Sequence, residues 1–236
     1  MCFHNSLTIE AIKLEHRFDA QLLGEYESLY HEKGFGFEKR PIITTEKPQS
    51  IQLYNWGLIP HWMKTLDEAL KFRGNTLNAV SETVFDKPSF KFSIMKKRCL
   101  VPSTGFYEWQ DVKGKKYPYF IHLKNEEIFA MAGIYQNWTD NETGEIFNTF
   151  SILTTEANPL MATIHNLKKR MPVIIPKERE KEWLNPDLTK EEITSFLAPY
   201  DETKMEAHTI SKLITSRSEN SNVPEVQKEF IYSVLL

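Results

Sequence analysis

The sequence predicts an α+β fold in which antiparallel β-sheets curl into a barrel-like core and helices flank it. Three observations carry this expectation. Segments of β-branched and aromatic character outnumber helical ones and succeed one another through turn residues. The centre, from Arg98 to Thr155, is a run of such segments separated by Gly and Asn turns. No internal repeat, low-complexity tract or linker interrupts the 236 residues, so one domain over 1–236 is expected, long enough to bury a sizeable core.

Taken in order, Ile9 to Tyr30 carries Leu14, Leu22, Leu23, Tyr26 and Leu29, with helical spacing from Ala20. Gly34-Phe35-Gly36-Phe37 breaks that pattern and reads as a loop with exposed aromatics. Pro41 to Thr45 and Ile51 to Trp56 read as strands, the second ending in a turn with Gly57, Pro60, His61 and Trp62. Asp67 to Phe72 reads as a short helix, Arg73-Gly74-Asn75 as a turn, and Ser89 to Lys97 as another helical turn or two. Arg98 to Val112 is expected to be a strand around Pro102 and Gly105, followed by a hairpin turn at Lys113 to Lys116. Tyr117 to Leu123, Ile128 to Trp138 and Ile146 to Thr155 continue the sheet. Asn158-Pro159 is an N-cap followed by Pro at the first helical position, starting a short helix to about His165. Met171 to Ile175 is a buried type of strand, and Glu178 to Leu184 is helical. Thr189 and Glu192 form a capping box for a helix to Leu197, and Met205 to Ile210 is a last strand.

Composition narrows the class. A hydrophobic fraction of 41% and a charged fraction of 26% are those of a soluble globular protein, and no apolar run reaches membrane-spanning length. No signal peptide is visible, and the two cysteines, Cys2 and Cys99, provide neither a disulfide framework nor metal-ligand spacing. A cytoplasmic, metal-free, cofactor-free protein is expected. The net charge of −3 argues against a nucleic-acid binder, but its distribution argues the other way. His61 to Lys124 holds 12 Lys and Arg against 6 Asp and Glu, whereas Pro172 to Ala207 holds 5 against 9.

Four stretches carry chemistry. The first is Met1-Cys2. If Met1 is removed, Cys2 presents a thiol beside a free α-amine, titrating near ~8.5 and ~7.7–8.0. Such a 1,2-aminothiol captures an aldehyde as a Schiff base and closes it to a thiazolidine. The second stretch is Leu77 to Thr83, containing Asn78 and Ala79. The third, Arg98 to Trp109, contains Glu108, which alternation places on one face with Phe106. A carboxylate on a core face has a raised pKa suited to proton transfer near neutral pH; at a strand end it would simply meet water. The fourth, Ile164-His165-Asn166 with Arg170-Met171-Pro172, puts His165 at a helix C-terminus, which favours the charged imidazole. A capping or core role is the plain alternative for His165. Trp62 and the Gly34–Phe37 loop offer faces for stacking on unpaired bases, although most aromatics in a chain this aromatic are core.

These stretches, with Trp56-Gly57-Leu58-Ile59-Pro60, Ala132-Gly133-Ile134-Tyr135 and Thr154-Thr155 in this order, resemble the SOS-response-associated peptidase family of abasic-site processing proteins. The motif-bearing part runs from about 2 to 184. The resemblance implies a protein that binds single-stranded DNA at an abasic site, acting as a monomer, cytoplasmic or at the nucleoid. It implies that Cys2 forms a reversible thiazolidine crosslink to the ring-opened sugar, shielding the lesion. Asn78 then orients the sugar or phosphate, Glu108 manages protons, and His165 assists ring opening and reversal. Trp62, Arg73, Asn78, Arg98, Thr154 and Arg170 are the implied DNA contacts. The peptidase of the family name implies removal of Met1, a step open to the protein itself.

The chain departs from the family pattern twice. Phe3-His4 follows Cys2 where members commonly have Gly-Arg, and Val80 follows Asn78-Ala79 where they have a phosphate-binding Arg. Arg73, Arg98 or Arg40 is expected to compensate for the second. Two other function classes share some of these residues. An N-terminal-nucleophile amidohydrolase also uses a Cys freed by Met1 loss and would release ammonia from glutamine. A non-covalent DNA-binding module would leave no adduct on a denaturing gel.

Overall fold

The computed structural model describes residues 2–235. Removal of Met1 therefore falls on a residue outside those described. The fold is built from two sheets. The larger contains β2 (Gln21–Leu23), β4 (Lys39–Thr44), β5 (Lys47–Trp56), β6 (Asn78–Val80), β7 (Arg98–Ser103), β10 (Phe129–Thr139), β11 (Ile146–Glu156), β12 (Arg170–Pro172) and β13 (Ile174–Ile175). Within it β5, β4, β7, β10 and β11 pair in succession, and a parallel pairing of β11 with β5 closes them into a five-stranded barrel. The smaller sheet has the order β14 (Met205–Thr209), β9 (Lys115–Leu123), β8 (Gly105–Val112), β1 (His4–Leu7) and β3 (Leu29–Lys33).

Two apolar clusters hold this together. One joins the sheets through Trp56, Val101, Phe106, Ile121, Met131 and Phe150. The other lies beneath the flanking helices, where Leu14, Ile94, Trp183 and Ile193 pack on Leu100, Ala132 and Leu153. The helices are α1 (Ala11–Phe18), α2 (Leu66–Phe72), α3 (Lys91–Lys96), α4 (Pro159–Ile164), α5 (Glu180–Trp183) and α6 (Lys190–Ser195). The N-caps read from the sequence are present: Asn158 accepts from the Met161 N–H, and Thr189 forms a capping box with Glu192. The expected α+β architecture with a barrel core is the one found.

Four details differ from the sequence reading. The helix expected from Ala20 onward lies earlier, at Ala11–Phe18. Asp19 adopts a left-handed φ of 49° and ends it, after which Leu22 pairs with Ile51 in a parallel strand. The single strand expected over Arg98 to Val112 is two strands in different sheets. They part at Thr104, and Gly105 is needed there because a Cβ would come within 2.4 Å of the Phe120 ring. Met171 to Ile175 is likewise divided, β12 pairing with β11 and β13 with β10. The polar strands β1, β3 and β6 carry no apolar alternation and were not expected from pattern.

One buried polar chain spans the small sheet. His4 and His31 share a 2.8 Å Nδ1–Nε2 hydrogen bond, and His31 Nδ1 meets Ser221 Oγ at 2.8 Å. Burial pushes His4 down to about 4 and His31 down to about 3, so both are neutral in the fold. An unfolded His binds its proton near pH ~6.5. Their contribution is therefore intact above about 6.5 and lost progressively as pH falls toward the folded values, by at most ~1.4 kcal/mol per unit per ring. Thermal melting of the parent is expected to weaken from pH 6.5 to 4, and His31→Asn to flatten that decline. An equally steep decline in the variant would refute the assignment.

Candidate active site around Cys2

Cys2 lies two residues ahead of β1 and is buried. Strands β6 and β8 bring side chains to it. Strand β6 pairs in parallel with β11, setting Asn78 opposite Ile152 and Val80 opposite Thr154. From there Asn78 Nδ2 donates to the Cys2 carbonyl at 3.0 Å and fixes the backbone that presents the thiol. Strand β8 pairs with β1 through Phe106 and Asn5, and the Glu108 carboxylate is hydrogen-bonded to the Cys2 thiol. Phe106 and Glu108 share the inward face, as alternation requires.

His165 is the C-cap of α4. Its Nδ1 lies 2.9 Å from the Arg170 carbonyl, and its Nε2 lies 3.6 Å from Glu108 Oε2. A carbonyl only accepts, so Nδ1 carries the proton in a neutral ring and Nε2 turns its lone pair toward Glu108. The helix end is tied to β8 by Asn166, which accepts from the Asp111 N–H at 3.0 Å and donates to the Asp111 carbonyl at 2.8 Å. This double tether, which sequence reasoning left unassigned, is what brings His165 to Glu108. Arg170, on β12, donates to the Thr154 carbonyl and to both oxygens of Glu82.

Burial dominates the electrostatics. It pushes Glu108 up to about 7. It also pushes the Cys2 thiol up, with the Glu108 charge adding to the rise and Arg170 opposing it. His165 corrects an expectation: burial holds it down at about 4, so the helix end does not keep it charged. Among the described residues, four buried polar atoms of this group have no partner: Asn78 Oδ1, Glu108 Oε1, Thr154 Oγ1 and Arg170 Nε. Folding seldom leaves such atoms unpaired, and a cluster of them beside a thiol marks a place made for a polar ligand.

The remaining predicted contacts fall into two groups. Trp62 is exposed and meets Phe72 edge-on at 5.6 Å. The Arg73 guanidinium lies 4.0 Å over the Phe37 ring, Phe37 neighbours Phe35, and Phe35 packs on Phe3 with ring centres 5.1 Å apart. Arg73 thus stands on an aromatic track leading to the residue beside Cys2, while Trp62 sits against Phe72. Arg98 does not. It is fully buried, and its guanidinium donates to the carbonyls of Ile94, Met95, Trp183 and Asn185. That network ties α3 to α5 inside the core, and complete burial keeps the guanidinium out of a phosphate's reach, which removes Arg98 from the DNA contacts. Arg40 is likewise engaged, 2.8 Å from the buried Glu32 carboxylate. Of the three arginines offered as substitutes for the residue missing at Val80, Arg73 is the one left with an open face.

Cavity volume does not point here. A cavity of about 870 Å³ opens beside Arg17, Ile43, Leu100 and Glu180 and includes none of these side chains. The converging unpaired donors and acceptors are the stronger sign of a reactive centre. Among the described residues no group of three or more His, Cys, Asp or Glu is placed to hold a metal, and no helix is long and apolar enough to cross a membrane.

Known proteins resemble the chain in sequence and fold. A crystal structure of a Bacteroides thetaiotaomicron protein superposes with a TM-score of 0.92, at 44% identity, covering 98% of this chain and all of that one. The Bacillus subtilis abasic site processing protein YoqW is 44% identical over 182 residues, 76% of this chain and 78% of its own. The chicken abasic site processing protein HMCES is 33% identical over 182 residues, 68% of this chain and 52% of its longer sequence. The model of the SOS response associated peptidase (SRAP) family matches residues 1–217, and the chain belongs to that family.

Proposed function

We propose that this protein captures abasic sites in single-stranded DNA through a covalent, reversible bond to Cys2. The observation that carries the reading is the cluster of buried Cys2, Asn78, Glu108, Thr154 and His165 with half-buried Arg170, and its four polar atoms unpaired among the described residues. The printed names of the relatives point to the same lesion.

The chemistry follows from the groups present. Once the α-amine of Cys2 is free, it adds to the C1′ aldehyde of the ring-opened deoxyribose, forming a carbinolamine. Loss of water gives the imine. The thiol sulfur then adds to the imine carbon, its proton passes to nitrogen, and a thiazolidine results with one water released overall. Glu108, half-ionised near pH 7, accepts the proton from thiol or amine and returns one to the departing water. His165, neutral with its Nε2 lone pair facing Glu108, takes the proton from the sugar hydroxyl during ring opening and serves the reverse reaction. Asn78 holds the Cys2 carbonyl, and its unpaired Oδ1 meets the sugar. Trp62, Arg73 and the Phe3–Phe35–Phe37 aromatics receive the flanking strand. Removal of Met1 by this same site is part of the proposal, as is a cytoplasmic or nucleoid location.

Cys2→Ser is expected to abolish the stable adduct on denaturing gels with abasic single strands, because oxygen does not close the ring comparably. An uncleaved N-terminal tag should do the same, and a stable adduct formed with a blocked amine would defeat the thiazolidine route. Glu108→Gln should slow adduct formation by roughly 10²–10⁴-fold and remove an acid limb centred near pH 7 in the parent. His165→Ala should slow both formation and reversal; if its adduct exchanges as fast as the parent's in a chase with competitor DNA, His165 is only a helix cap.

Val80 stands where a phosphate-binding Arg is usual, on the strand that carries Asn78. Val80→Arg should tighten single-strand binding and steepen the slope of log affinity against log salt by about 0.7, one added phosphate contact. An unchanged slope in a salt titration would show that the position lies off the DNA path.

A further inference from the structure

The geometry points to Glu82 as a positioning residue that holds the Arg170 guanidinium beside the reacting thiol before DNA arrives. This inference rests on the reading of Cys2 as the reacting group.

Glu82 lies in the 3-10 turn Ser81–Thr83 that follows β6, so it descends from the same strand as Asn78. Its two oxygens accept from the two terminal nitrogens of Arg170, at 2.5 Å from Nη1 and 2.8 Å from Nη2. Nη2 also donates to the Thr154 carbonyl at 2.7 Å. The pair therefore joins three elements, the turn after β6, the strand β11 and the strand β12. Ser81 Oγ donates to Glu82 Oε2 at 3.1 Å, so the carboxylate itself is held. The Arg170 hydrogen bond keeps Glu82 below the usual carboxylate range, and it is ionised at neutral pH.

A single exposed ion pair stabilises little. The geometry here is a planar fork against a carboxylate, which fixes orientation as well as distance. With both terminal nitrogens engaged, the guanidinium is not free to swing to solvent. Its third donor, Nε, stays buried without a protein partner, in the same cluster as the unpaired Thr154 Oγ1. The Arg170 backbone is held independently, by pairing with Glu156 and by His165 at its carbonyl. Loss of Glu82 therefore releases the guanidinium and leaves the strand in place.

The charges acting on the Cys2 thiol are Glu108, which raises its pKa, and the N-terminal amine and Arg170, which lower it. A guanidinium that wanders removes the one side-chain cation opposing the rise. The competing possibility is that Glu82 masks Arg170 and that a DNA phosphate must displace the carboxylate. The two make opposite predictions for Glu82→Gln, which neutralises the carboxylate and breaks the fork.

The test has a DNA-free arm and a DNA arm on the full chain. In the first, alkylation of Cys2 by iodoacetamide is followed against pH at the Cys2 peptide by mass spectrometry. Positioning predicts an apparent thiol pKa raised by roughly 0.5–1 in Glu82→Gln, part of the ~1–3 that an adjacent opposite charge gives. In the second, the adduct rate at saturating abasic single strand falls about tenfold while the salt slope of binding stays that of the parent, a loss of ~1.4 kcal/mol of barrier lowering. Tighter binding, a slope steeper by about 0.7 and an unchanged saturating rate would establish masking and overturn the inference. Parent-like behaviour in both arms would overturn it too, leaving a surface ion pair. If the parent forms no adduct, the abasic-site reading fails while the alkylation arm still decides the role of Glu82. Should Glu82→Gln melt early, Glu82→Ala is judged by the same two outcomes.

Discussion

Strand β11 is the constraint on which the site depends. It pairs with β10 along its length, closes the barrel against β5, and accepts the short strands β6 and β12 at its C-terminal end. Asn78 reaches Cys2 because β6 has no other partner that would fix its register. Arg170 reaches Thr154 because β12 lies on the opposite edge of the same strand. A slip of one residue in either short strand would turn its side chains to the other face. The slip is opposed from inside, since Trp56 Nε1 donates to the Leu77 carbonyl at 2.8 Å and Ile152 N–H donates to the same carbonyl. Buried aromatic packing thus helps set the position of the Asn78 amide.

Four of the eight buried side-chain polar atoms left unpaired among the described residues gather at this site. Arg98 meets four carbonyls, and Arg17 meets both oxygens of Glu180 and the Ile128 carbonyl. Those arrangements are closed and structural. The cluster at Cys2 is open: each of Asn78, Glu108, Thr154 and Arg170 has one polar atom engaged or oriented by the protein and another left over. Desolvated groups held in place need no reorganisation when charge develops near them. The same desolvation raises Glu108 into the range where it both accepts and returns a proton at neutral pH.

What was legible in the sequence had local causes. The caps at Asn158 and Thr189, the hairpin at Lys113-Gly114 and the inward face of Glu108 each follow from two to four adjacent residues. What was not legible depended on distant partners. Thr104 divides two strands because Ser6 and Ser103 meet there across the sheets. His165 is neutral because it is buried, a fact its place at a helix end does not carry. Arg98 was indistinguishable from Arg73 as a basic residue near a motif; only its carbonyl partners show that one ties helices together while the other lies open over Phe37. Glu82 lay within a recognised stretch, yet its meaning resides in Arg170, 88 positions along the chain.

The departures at Phe3 and His4 become intelligible in this frame. The Phe3 ring packs on Phe35, and its carbonyl accepts from the Gly34 N–H at 2.8 Å, fastening the aromatic turn to the residue next to Cys2. His4 enters the polar chain that runs through His31 to Ser221, while Asn222 Oδ1 accepts from the Tyr30 and His31 N–H groups. Gln227 donates to Ser6 Oγ at 2.7 Å on the same strand. Ser221, Asn222 and Gln227 all lie beyond the span matched by the family model, which ends at 217. Strand β1 lies between β8 and β3, and the C-terminal segment adds bonds to His31, to the β3 backbone and to Ser6. Residues just ahead of a strand are prone to fraying. Here the fraying is opposed by the bonds along β1 and by Asn78 at the Cys2 carbonyl. His4 is accommodated through His31 by the C-terminal segment, and Phe3 by the turn at Gly34 and Phe35.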